Sequence, residues 1–415
     1  LKSLENLDLL PEPEDHRILT AIDPSAPGYP GVDYGLTDEE AHELRWPIGP
    51  MKQFLWPNGA IFFSISTILL IVSWPWISAY LAPILPDSEW AYEDTGIRQL
   101  QSDGFFGEGV HVCIIDTGID MDHPAFSHQQ LLGFRDFLEG DHDRIRDVGD
   151  DSHGTLMSGL LISNGTFKGA APEVGLSVAL ALDSEGSSGS GDIVAQAIRW
   201  CRITQRVDII SLSLGGQPSD FSLDSQTNIA VEEAIEAGIF VVAAAGNTGL
   251  DDDVNDVSQP SSIAGVISVG AQNKAGNVWG SSARGSDNDP SSDTTCPPAC
   301  REYPNQKPEV IAPGVNIFST ASSSLSSPYA YSSGTSDSTV FVTGALVLII
   351  QQFGDAISGS DGIIDEEEMR LVKQALASSC DRSNFENNAH DLHSGYGSLD
   401  VVKWSQEVAF LFNIA

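Results

Sequence analysis

The chain of 415 residues carries 58 Asp and Glu against 20 Lys and Arg, for a formal charge of -38. That balance weighs against nucleic acid as a partner, because phosphate repels carboxylate; the 41 % of hydrophobic residues, gathered in apolar runs, weigh against a disordered chain. What remains is a folded protein with a carboxylate-rich, Lys-poor surface, suited to a salty medium that screens self-repulsion, so a halophilic source is expected.

In chain order, residues 1–50 are acidic and rich in Pro and Gly, which predicts an extended cytoplasmic arm. Between Gln53 and Pro86 there is no charged residue. That run exceeds the roughly 20 apolar residues needed to cross a bilayer, so residues 53–86 are expected to hold one transmembrane helix, kinked at Pro75. A buried hairpin or core helix is the competing reading. Arg45 and Lys52 precede the run, while Asp87, Glu89, Glu93 and Asp94 follow it. Positive residues stay inside, which puts the N-terminus in the cytoplasm and residues 87–415 outside the cell membrane.

From Asp87 onward, strand-like "VHVCIID", "VDIISLSL", "GIFVVAAAG" and "GVISVGA" alternate with helix-like "HGTLMSGLLISN", "GDIVAQAIRWCRITQ" and "TNIAVEEAIEAG". The alternation predicts an α/β fold, a parallel sheet with helices on both faces. The five Cys are too sparse for a disulfide framework. Cys113 and Cys201 lie in apolar contexts and read as small core residues. Cys296 and Cys300 lie in a polar loop and can close a small disulfide; a metal site lacks further ligands.

Four polar residues sit at element boundaries. Asp116 ends a buried strand, His153 and Ser336 each open an apolar helix, and Asn247 closes a second strand. The stretches "IIDTGID", His123-Pro124, "HGTLMSG", "SLSLGG", "AAAGN", "VIAPG" and "GTSDSTVFVTG" resemble, in order, those of the subtilisin-like serine proteases, the subtilases. The resemblance spans roughly residues 105 to 400. It implies a serine endopeptidase acting on polypeptides without a required cofactor. Ser336 would be the nucleophile, His153 its general base, Asp116 the group orienting the imidazole, and Asn247 an oxyanion donor. It also implies that Ser211, Leu212, Ser213, Leu214, Gly215 and Gly216 pair with substrate backbone, opposite a wall at Ser184–Asp192.

The sequence departs from the family pattern at Asp337, where a small residue is usual, at Val340, in place of a proline, and at Leu156, in place of a His. A charge at Asp337 can oppose an oxyanion, although salt would screen an exposed one. These departures motivate an alternative, a weak or inactive subtilase-fold subunit with a structural or peptide-binding role in a membrane assembly. Asp251, Asp252, Asp253 and Asp256 can bind Ca²⁺ but read more simply as a solvated loop. "SDGIIDEEEM" reads as an acidic helix start rather than half a calcium loop, and Asn164 opens the one N-glycosylation sequon.

Overall fold

The computed structural model describes residues 59, 62–74, 87–138, 144–187, 191–215, 226–251, 256–286, 301–359, 362–385 and 389–414. It divides into two units, Leu1–Ile84 and Leu85–Ala415. In the first, Phe62–Trp74 is an apolar helix with its large side chains in the open, Phe63 being 75 % exposed. Apart from Gly59, the rest of the uncharged run and the whole acidic arm lie outside the described residues.

The second unit is built on seven parallel strands. They are β1 (His111–Asp116), β2 (Gly133–Asp136), β3 (Gly175–Leu180), β4 (Ile209–Leu212), β5 (Phe240–Ala244), β6 (Ile267–Gln272) and β7 (Val310–Pro313). Their order across the sheet is β2-β3-β1-β4-β5-β6-β7. β1 therefore lies where the order reverses, the position at which open α/β sheets leave a crevice beyond their carboxyl ends. Five of its six residues are buried because helices cover both faces.

Side-chain alternation splits the core in two. Val112 and Ile114 of β1 face a cluster that includes α3 (His153–Ile162), α6 (Thr335–Ile357), α7 (Glu366–Ser379) and α8 (Val401–Leu411). Cys113 and Ile115 face α4 (Gly191–Trp200) and α5 (Gln226–Glu236). Two short helices, α1 (Glu89–Asp94) and α2 (Ile97–Ser102), pack on the first cluster, and a hairpin of β8 (Val315–Thr320) and β9 (Tyr329–Ser333) leads into α6. α6 has 23 residues and is the one described helix long and apolar enough to span a membrane. It is the central core helix instead, with Val340 to Ile350 buried.

The cysteines correct one expectation. Cys113 and Cys201 form a disulfide across 88 residues of sequence. β1 and the turn after α4 meet on one sheet face, with the two Cα atoms 6.0 Å apart, a juxtaposition that local apolar pattern cannot reveal. Cys380 is free and buried; Cys296 and Cys300 lie outside the described residues. The acidic helix start is present: Asp365 caps α7 in a capping box with Glu368.

Candidate active site

Asp116 closes β1, fully buried. Its Oδ1 accepts the Thr117 backbone N–H at 2.7 Å and Nδ1 of His153 at 2.8 Å. Its Oδ2 is buried with no hydrogen-bond partner among the described residues, so the carboxylate's charge is answered mainly by the imidazole.

His153 is the first residue of α3. Ser152 before it adopts the left-handed conformation (φ 59°, ψ 38°), a costly turn that redirects the chain into the helix. Gly154 then lets the helix start sit against the turn after β1; a β-carbon there would lie 2.1 Å from the Gly118 carbonyl oxygen. Asp147 braces the arrangement by accepting from Thr117 Oγ1 at 2.7 Å and from the Thr155 backbone N–H at 2.8 Å. With Nδ1 donating to Asp116, Nε2 is left as an acceptor. Burial lowers the proton affinity of His153, but the charge and hydrogen bond of Asp116, with Asp151 and Asp337 behind them, outweigh it and raise the pKa to about 9.

Ser336 and Asn247 meet across the ends of α6 and β5. Asn247 Oδ1 accepts both the backbone N–H and the hydroxyl of Thr335, each at 3.0 Å. That fixes the amide so that Nδ2 is free to donate. Ser336 lies in the first turn of α6, where backbone N–H groups have no helical acceptor. Its hydroxyl donates to the Ser213 carbonyl at 3.1 Å, and Ser213 Oγ donates back to the Ser336 carbonyl at 3.2 Å.

A cleft of about 560 Å³ joins these groups, lined by His153, Ser336, Asn247, Ser213, Leu214 and Gly215, with Ser184, Glu185 and Gly186 also lining it. Ser211 and Leu212 are not in the cleft. They are buried within β4, where Ser211 accepts from the Thr343 hydroxyl at 3.1 Å. Gly216 lies outside the described residues. Ser338, two residues beyond Ser336, stays out of the cleft: it is fully buried and donates to the Ala312 carbonyl at 2.9 Å. Asp337 is buried rather than exposed, hydrogen-bonded to Ser332, so salt does not screen it. Burial pushes its pKa up to about 7 against the opposing effects of Ser332 and His153.

Of the loop carboxylates, Asp252 and Asp253 lie outside the described residues, and Asp256 pairs with Arg301 at 2.8 Å. Among the described residues no three or more His, Cys, Asp or Glu gather as a metal site. Sequence reasoning missed Asp147 and Thr335. An acidic residue shortly before the His motif, and the Thr before Ser336, were the available signals.

The subtilase family model matches residues 107–397. The chain is 35 % identical over 295 residues to the intracellular serine protease of Paenibacillus polymyxa, covering 68 % of this chain and 79 % of that protein. It is 32 % identical over 258 residues to the major intracellular serine protease of Bacillus subtilis, covering 60 % and 71 %. Against subtilisin E of Bacillus subtilis the identity is 32 % over 256 residues, 61 % of this chain and 58 % of that protein. The chain belongs to the subtilase family, the subtilisin-like serine proteases.

Proposed function

We propose that this protease is a membrane-anchored endopeptidase in which Asp116, His153 and Ser336 are the catalytic triad and Asn247 is an oxyanion donor. One observation carries the reading. A buried carboxylate holds Nδ1 of His153 at 2.8 Å and leaves Nε2 as an acceptor in the cleft that also holds Ser336 and Asn247.

The mechanism follows from the proton positions. In this reading the Ser336 hydroxyl exchanges its hydrogen bond to the Ser213 carbonyl for one to Nε2. His153 accepts the proton as Oγ attacks the peptide carbonyl, and Asp116 stabilises the imidazolium. Asn247 Nδ2 and the Ser336 backbone N–H take the developing oxyanion. His153 then protonates the leaving amine, and water activated by the same imidazole releases the acyl group. Substrate would lie as an added strand along Ser213–Gly215, facing Ser184–Gly186. Asp150, Asp151 and Glu185 line the cleft and no Lys or Arg does among the described residues, which favours basic over acidic substrates.

The membrane anchor rests on the uncharged run. Its helix Phe62–Trp74 is about 20 Å long at 1.5 Å per residue, against a hydrocarbon core of about 30 Å. The run continues on both sides of it, and its exposed apolar surface suits lipid. Charge asymmetry supports an extracytoplasmic protease domain, and the charge of -38 supports a salt-rich setting. The full chain should pellet with membranes, and its protease unit should unfold on dialysis into low salt.

A fluorophosphonate probe tests the catalytic reading. It should label the folded wild-type chain at Ser336 in high salt and fail on Ser336→Ala. Buried Asp337 beside the nucleophile favours a second reading, a weak or inactive subunit with a structural or peptide-binding role; absence of labelling in folded protein would select it.

A further inference from the structure

Two threonines flank Asp116 and His153 in a reciprocal arrangement. Thr117 follows Asp116 at the end of β1, and Thr155 stands two residues after His153 in α3; both are buried. Thr117 Oγ1 accepts the Gly154 backbone N–H, from the histidine segment, at 2.9 Å and donates to Asp147 Oδ1 at 2.7 Å. Thr155 Oγ1 accepts the Asp120 backbone N–H, from the aspartate segment, at 3.0 Å and donates to Asp147 Oδ2 at 2.5 Å. Each hydroxyl thus takes a hydrogen bond from the opposite segment and gives its one proton to the same carboxylate.

Asp147 is itself fixed on both sides. Its Oδ1 also accepts the Gly149 N–H at 2.9 Å and its Oδ2 the Thr155 N–H at 2.8 Å. Its backbone bridges to Gly118, and the next residue, Val148, donates its N–H to the Thr117 carbonyl at 3.0 Å. Hydrogen bonds to a carboxylate are the stronger kind. None of Thr117, Asp147 and Thr155 lines the cleft, so none is placed to touch substrate. What they join is the end of β1 and the start of α3, segments 37 residues apart in sequence that meet at the 2.8 Å contact between Asp116 Oδ1 and His153 Nδ1. The Thr117 backbone N–H reaches that same Oδ1 at 2.7 Å.

We propose that Thr117, Thr155 and Asp147 are positioning residues for catalysis, a clamp that holds the imidazole of His153 in register with Asp116. The proposal rests on the triad reading above. Without either hydroxyl, a backbone N–H loses its acceptor and one segment is released from Asp147. The imidazole then shifts against the carboxylate that orients it, and Nε2 moves out of line with the serine.

Three variants of the full-length chain test this: Thr117→Val, Thr155→Val and Asp147→Asn, each with a urea melt. Val matches Thr in shape and lacks the hydroxyl; Asn replaces one acceptor oxygen with an NH₂ group. Asp147 is partly exposed, so its variant carries the test if a valine variant fails to fold. The contact between Asp116 and His153 would be read without substrate, from the low-field proton resonance of His153 Nδ1–H, identified by its loss in His153→Gln. Hydrolysis of a peptide anilide would be measured in parallel. In each variant the resonance should move upfield or broaden, and kcat should fall about 10- to 100-fold with little change in KM. Because both hydroxyls act through Asp147, the double valine variant should lose about as much as the worse single one. Thr117→Ser and Thr155→Ser return the hydroxyls and should recover most of the lost kcat. An unmoved resonance in the folded variants, or a loss of stability with no loss of kcat, overturns the proposal. A resonance that moves in a chain that hydrolyses no peptide upholds the clamp while refuting the triad reading.

Discussion

Asn247 offers the sharpest quantitative prediction, because its two ends do different work. Oδ1 accepts two hydrogen bonds from Thr335, while Nδ2 is the proposed oxyanion donor. Asn247→Ala removes both ends. Loss of one of two oxyanion donors usually costs about 10²–10³ in kcat. Asn247 is exposed, so water can partly replace its amide and the lower figure, about 100-fold, applies. The buried Thr335 N–H also loses its acceptor, which costs roughly 1–3 kcal/mol of stability. Asn247→Asp separates the effects. It keeps the acceptors, so stability should be near wild type, but it replaces the donor with a carboxylate, so kcat should fall further than in the alanine variant. Thr335→Val keeps the backbone donor to Asn247 and removes the hydroxyl that also accepts Gly246 N–H at 3.2 Å. A loss of about tenfold in kcat is expected from the loosened amide. Steady-state hydrolysis of a peptide anilide, with urea melts of each variant, measures all three. Wild-type kcat in Asn247→Ala, or a loss confined to KM, would refute the assignment.

Hydrolysis should rise with pH along a limb placed well above the ordinary histidine value of about 6.5, following the His153 pKa of about 9; a rate flat from pH 6 to 10 would contradict a histidine base. The same raised pKa means His153 contributes stability that is full below about 6.5 and lost as pH rises through about 9, so the gap in urea midpoint between wild type and His153→Gln should narrow over that window. Glu309 accepts from Lys307 and Lys373, each at 2.8 Å and all three buried; Glu309→Gln should destabilise by about 3–5 kcal/mol in urea melts, and wild-type stability would show that the lysines find other partners. Peptides with Lys near the scissile bond should be cleaved with higher kcat/KM than their Glu counterparts, the ratio shrinking as salt rises; equal rates at low salt would show that the cleft carboxylates do not reach the substrate.

The residues of the proposed triad were conspicuous in the sequence because the chemistry needs such groups at element ends. Asp116 stands out as a charge closing an apolar strand, and His153 and Ser336 as polar residues opening apolar helices. The parallel sheet was legible from strands such as Val112–Ile115 and Phe240–Ala244, whose consecutive apolar residues are buried on both faces. That same property hid which part of "SLSLGG" can meet substrate: with both faces of β4 covered, only its extension past Leu212 emerges into the cleft. Pairings across long stretches of sequence were not legible. Cys113 and Cys201 each look like ordinary core residues, and nothing local joins Lys373 to Glu309. The burial of Asp337 was hidden for a related reason, since it depends on the β8–β9 hairpin that brings Ser332 over the first turn of α6.

The central claim is that Ser336 and His153 act as one unit, and a double-mutant cycle tests it most directly. Peptide hydrolysis would be measured for wild type, Ser336→Ala, His153→Ala and the double variant, each checked for folding in high salt. Without its base the serine is a poor nucleophile, and without the serine the base has no proton to take. Each single change should therefore lose about as much kcat as the pair together, roughly 10⁶-fold. Losses that multiply in the double variant, or substantial activity in either single one, would contradict the account.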